Sequence, residues 1–123
     1  MVGYVIERLE ARWTALASGV LLGLVWAVWH AIPLIQADRS RSWMAWWALG
    51  AVATRVVMTW LFANTGHSVF GAALFHSTIN LSWQMFPNEG SHWDPRTNAL
   101  IVSCCAIAVV LIWGPRTLTR AAR

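Results

Sequence analysis

Two polar side chains, His76 and Asn80, stand four residues apart in the run Leu74-Phe75-His76-Ser77-Thr78-Ile79-Asn80-Leu81, which otherwise reads as membrane-spanning. On a helix that spacing is about one turn, so the imidazole and the amide project from one face. Groups of this kind at membrane depth cost several kcal/mol unless they find partners, so the pair needs a reason to exist. A third polar point, His30, closes another apolar run four residues after Trp26. Neutral imidazole and amide oxygen can both ligate a divalent metal such as zinc, and histidine can also activate or orient water. Two histidines from two helices and an asparagine one turn from the second would supply three convergent groups, with a position left for water or substrate. The same pattern arises when each histidine simply bonds a carbonyl or hydroxyl across a helix interface. Axial ligation of a haem by His30 and His76 is a further chemistry open to the pair.

The elements that must position these groups are apolar helices. Residues 13–37 form a stretch of 25 without Asp, Glu, Lys or Arg, enough to cross a bilayer core that needs about 20. Taken along the chain, the pattern predicts a single all-α domain over 1–123, a multi-pass transmembrane helical bundle with spans at about 15–35, 43–63, 68–86 and 97–113. Pro33 marks an end or a kink in the first span, Asn64-Thr65-Gly66 has turn chemistry, Pro87-Asn88-Glu89-Gly90 ends the third span, and Gly114-Pro115 stops the fourth. Residues 1–12, with Glu7, Arg8, Glu10 and Arg12, form a short amphipathic approach to the membrane, and no removed leader peptide is expected there. Eight of the ten tryptophans fall near the expected span ends, as an aromatic belt would, whereas Trp26 and Trp29 flank His30 within the first span. Four spans put both termini on one side, and five arginines there against three opposite predict that side to be cytoplasmic.

Composition agrees. The 123 residues are 58% hydrophobic and 11% charged, where soluble domains carry about 25% charge. All nine basic residues are arginines scattered between apolar runs, so the net charge of +4 draws no basic face and no nucleic-acid partner is expected. The expected partner is the lipid bilayer of the cell membrane. Adjacent Cys104 and Cys105 have neither metal-ligand spacing nor unstrained disulfide geometry and read as small apolar fillers.

Two of these features coincide with family motifs. Trp26-Ala27-Val28-Trp29-His30 matches a Phe/Trp-x-x-x-His motif, and His76-Ser77-Thr78-Ile79-Asn80 matches a His-x-x-x-Asn/Asp motif. With the run Gly3-Tyr4-Val5-Ile6-Glu7-Arg8-Leu9-Glu10-Ala11-Arg12-Trp13, and with 59–68 preceding the second motif, the chain resembles the CPBP family of intramembrane proteases. That family is also called the CAAX prenyl protease and bacteriocin-processing or Abi family. The resemblance implies an endopeptidase whose Glu and histidines activate water, with His30, His76 and Asn80 as catalytic residues and, conditionally, as ligands of a divalent metal. It also implies peptide or prenylated-protein substrates. Val2-Gly3-Tyr4 stands where the family usually has Arg-Gly-Tyr, so the family's Glu-Glu-x-x-x-Arg motif would precede Met1. The chain is therefore expected to be the C-terminal part of the family domain, and a catalytically inactive membrane remnant or interaction module is the alternative.

Other polar residues carry weaker expectations. Arg55, alone in the second span, must pair or reach water: it either partners a site or substrate carboxylate, or forms a structural ion pair or snorkels to an interface. Ser77 and Thr78 bond back to helical carbonyls. His67 and His92 are expected to be solvated in turns, and Glu89 and Asp94 to be loop charges. A shared site also demands an offset, because His30 lies much farther into its helix than His76 does into a helix running the same way. The two imidazoles must come within about 12 Å to act on one metal or water.

Overall fold

The computed structural model describes residues 2–87 and 92–120, with side chains from Tyr4 onward. The expectations for Asn88, Glu89, Gly90 and Arg123 lie outside the described residues. The rest is helical: α1 (Val2–Glu10), α2 (Ala15–Gln36), α3 (Arg41–Asn64), α4 (Val69–Gln84) and α5 (Pro95–Trp113). The last four each begin on a side-chain cap that satisfies first-turn N–H groups. Thr14 accepts from the Ala17 amide at 3.1 Å, Ser40 from Trp43 at 3.2 Å, and Ser68 from Gly71 at 3.0 Å. Asp94 accepts from the Arg96 and Thr97 amides at 3.1 and 3.0 Å, with Pro95 at the first helical position, where a missing N–H costs nothing. Asp94 is thus a helix cap as well as a loop charge.

Three of these helices, α2, α3 and α5, are long and apolar enough to cross a membrane. Their outward faces carry Val28, Trp29 and Ile32 on α2 and Ile101, Ile107 and Leu111 on α5, all exposed. Water disfavours so much contiguous apolar surface and hydrocarbon accommodates it. Helix α4 has 16 residues and ends at Gln84, where the sequence suggested Phe86. At about 24 Å it is shorter than a bilayer core. It nevertheless starts the return across the bundle. The α3 end lies beside the α5 end, with Trp60 and Trp113 rings 5.1 Å apart, whereas Trp93, just before α5, stands 6.1 Å from Trp43 at the opposite end of α3.

The centre of the bundle is α3, packed on α2 and α5. Gly19 and Gly23, one turn apart, let the backbones of α2 and α3 approach until a Cβ on Gly23 would lie 2.6 Å from the Val52 Cα. Small residues four apart are a standard device for close helix association in membranes, where lipid is as apolar as leucine. A first core cluster joins Ala15, Ala53, Val56, Ala106, Val109 and Leu118, and a second joins Ile6, Met58, Phe62 and Ala72. Ile6 is 1% exposed, so α1 is docked onto the bundle instead of merely approaching it.

Backbone turns complete the layout. Pro33 leaves α2 continuous to Gln36, and Gly66 (φ 63°) makes the expected turn between α3 and α4. Gly114 (φ 80°) ends α5, and the tail then folds back, its Arg116 and Pro115 carbonyls accepting from the Ala15 and Leu16 amides at 2.9 and 3.1 Å. Cys104 and Cys105 are free thiols on an exposed face.

Candidate active site

The site is built around the Trp26 indole. Trp26 and His30, a turn apart on α2, have ring centroids 4.5 Å apart, and His76 on α4 meets the same indole edge-on at 5.6 Å. The two imidazoles are therefore no farther apart than those two distances together, inside the limit for a shared site. The offset between the helices is absorbed through this ring, because Trp26, one turn before His30, reaches the level of His76.

The His30 Nδ1 lies 3.0 Å from the Trp26 carbonyl oxygen. A carbonyl can only accept, so Nδ1 is the donor of this bond, and in the neutral imidazole that leaves the lone pair on Nε2. On its other side the His30 ring is 5.2 Å from Trp47 of α3. Arg55, two turns farther along α3, lays its guanidinium over Trp26, 4.3 Å from the ring centroid. His30, His76, Trp26 and Arg55 are half-buried. Asn80 follows one turn after His76, exposed and without a hydrogen bond among the described residues, while Thr78 donates back to the Leu74 carbonyl at 2.8 Å.

Catalytic zinc sites hold the ion with three protein ligands and leave one position for water. The two imidazoles offer two donors, and no group of three His, Cys, Asp or Glu side chains gathers among the described residues. The exposed Asn80 amide is the remaining candidate. This donor set falls short of a zinc centre on its own, so the chemistry below runs on imidazole, carboxylate and amide groups.

Two further residues, Arg55 and Trp47, join the site. Arg55 was visible as a lone charge in a span, but its position over Trp26 depends on how α2 and α3 are rotated against each other. Trp47, one of the tryptophans near an expected span end, also packs on His30. Beside it, Ala27, Val28, Ala31, Leu34, Met44 and Ala48 line an apolar groove of about 400 Å³, with Arg41 also on its lining. His67, expected to be solvated, is half-exposed and engaged: it stacks on Phe62 at 5.0 Å and lies 3.8 Å from Glu7.

Membrane-length helices with imidazoles and a guanidinium gathered on one indole inside the bundle define a multi-pass membrane protein with a polar site within its span. Residues 1–82, which hold every one of these site groups, match the family described as Type II CAAX prenyl endopeptidase Rce1-like, and the chain belongs to that family. Over 92 residues it is 26% identical to the CAAX prenyl protease 2 of Methanococcus maripaludis, an alignment covering 68% of this chain and 34% of that protein. The chain thus spans about a third of the length of this curated relative. No solved structure matches it.

Proposed function

We propose that the chain supplies the histidine part of an intramembrane endopeptidase site that hydrolyses peptide bonds of membrane-adjacent substrates, prenylated peptides foremost. The observation that carries this reading is the meeting of His30 and His76 on one indole within a family of CAAX endopeptidases. Water attacks the scissile carbonyl carbon and gives up a proton to a base. The tetrahedral intermediate then collapses, and the leaving amine takes a proton. His30 Nε2, with its lone pair free, suits the task of orienting or deprotonating that water beside a glutamate. His76 completes the pair, and Asn80 offers amide N–H donors to the oxyanion. General-base catalysis contributes about 10²–10⁴-fold and a single oxyanion donor about 10²–10³-fold, so each group is separately testable. The apolar groove beside His30 and Trp47 suits the hydrocarbon part of a prenylated substrate.

The alternative reading is a non-catalytic membrane module, and it turns on the family's Glu-Glu-x-x-x-Arg motif, which would precede Met1. The DNA directly upstream of Met1 separates the two: an in-frame motif supports the enzyme, and an in-frame stop supports the module. In a chain carrying that motif, reconstituted in liposomes with a farnesylated peptide, His76→Ala should lower kcat at least a hundredfold. Wild-type turnover in that variant rules out the role given to His76.

A further inference from the structure

A guanidinium is charged at any physiological pH, so Arg55 carries its charge wherever α3 holds it. Its Nη1 donates to the Met58 sulfur at 3.4 Å and its Cζ lies over the Trp26 ring, 4.3 Å from the centroid. A thioether is a weak acceptor, and an indole ring attracts the cation without accepting a conventional hydrogen bond from it. No carboxylate pairs with Arg55 among the described residues: Glu7 faces His67, and Asp94 caps α5. A cation within a membrane-length helix and without a counter-ion is costly, and such residues mark substrate or ion positions. The planar fork fits a carboxylate in two-point contact.

We propose that Arg55 is the carboxylate-binding residue of this site and holds the terminal α-carboxylate of a peptide substrate. The proposal rests on the endopeptidase reading for the nature of the ligand. Reach supports it. Arg55 stands 4.3 Å from the indole whose centroid is 5.6 Å from His76, so the cation and the imidazole are separated by no more than about three extended residues. A peptide anchored at Arg55 by its free end would present a bond only a few residues from that end to the histidines. A chain passing through without an end would have no anchor. Arg55 is thus a positioning and specificity residue and takes no part in bond making.

The test uses the motif-bearing chain in nanodiscs and one probe in two forms. The probe is a fluorescein-labelled, S-farnesylated peptide ending in cysteine and three further residues, made as the free acid and as the C-terminal amide. Anisotropy gives Kd, and cleavage gives KM and kcat separately. The wild type should bind the acid about tenfold to a hundredfold more tightly than the amide, the range for a hydrogen bond to a charged group. Arg55→Met should erase the preference and Arg55→Lys should retain part of it, with the loss appearing in KM and not in kcat. Equal binding of acid and amide by the wild type, or no binding of the acid, overturns the proposal without any variant. So does an acid preference that survives Arg55→Met. An Arg55-dependent acid preference with no cleavage of either peptide upholds the carboxylate site and sinks the protease reading. Cleavage with no acid preference does the reverse.

Discussion

The close approach of α2 and α3 makes Gly23 the most informative position for a small perturbation. Replacing it with alanine places a Cβ 2.6 Å from the Val52 Cα and 3.2 Å from its Cβ. Carbon atoms rest at about 3.5–4.0 Å, so the helices must part by about 1 Å. Forcing a methyl into a packed interface costs about 1–3 kcal/mol, while replacing a helical glycine with alanine returns about 1 kcal/mol, leaving a net loss of up to about 2 kcal/mol. The internal control is Gly71→Ala on α4, whose new Cβ would meet its neighbours at 3.5–3.6 Å, ordinary contact, so the propensity gain stands alone. Gly23 lies three residues before Trp26, so the displacement passes directly to the indole on which both imidazoles rest. A shift near 1 Å at a catalytic constellation lowers turnover about a hundredfold. Thermal melts in detergent, followed by the intrinsic fluorescence of the ten tryptophans, and cleavage by the motif-bearing chain provide the two readouts. The packing argument is refuted if Gly23→Ala melts and cleaves like wild type, or if Gly71→Ala is equally harmful.

Two further predictions concern the ends of the bundle. Leu118, fully buried against the Ala15, Val56 and Val109 cluster, should cost about 2–5 kcal/mol when cut to alanine, read as a lower melting temperature, although it lies in the tail beyond every helix. Burial holds the Glu10 carboxyl above its usual 4.5, opposed by the nearby His67 and reinforced by Glu7, and its buried Oε1 has no hydrogen-bond partner. A raised value means that the folded state holds the proton more tightly. The contribution to stability is therefore complete below 4.5 and disappears as pH rises through the folded value. Glu10→Gln should melt higher than wild type at pH 7 to 8, with the gap closing as pH falls toward 4; a gap independent of pH contradicts this account.

The histidines were legible because a polar residue in an apolar run is informative by itself, whatever its neighbours. His30, His76 and Asn80 could be picked out one by one, as could the helices, from the lengths of the apolar stretches between charged and turn-forming residues. What joins the site was not legible. The contacts of Trp47 with His30 and of Arg55 with Trp26 depend on the rotational register between α2 and α3, which Gly19 and Gly23 fix through a backbone approach that no hydrophobic pattern encodes. The docking of α1 was missed for a related reason: Ile6 is one apolar residue among alternating charges, and its burial depends on the pocket formed by Met58, Phe62 and Ala72. Leu118 lies between polar residues after a helix stop, where sequence alone gives it no partner.

The hydrogen bonds from Ala15 and Leu16 to the Arg116 and Pro115 carbonyls also impose an order of events. The first amides of α2 find these acceptors in a stretch that leaves the ribosome about 100 residues later, a delay of about 5–20 s at ordinary elongation rates. Through that interval α2 and α3 can pair on Gly19 and Gly23, but the outer end of α2 stays open to water and lipid headgroups. Completion of α2 therefore waits on the segment that follows α5, and synthesis arrested after α5 would leave a nascent bundle assembled in the bilayer yet unlatched at one end.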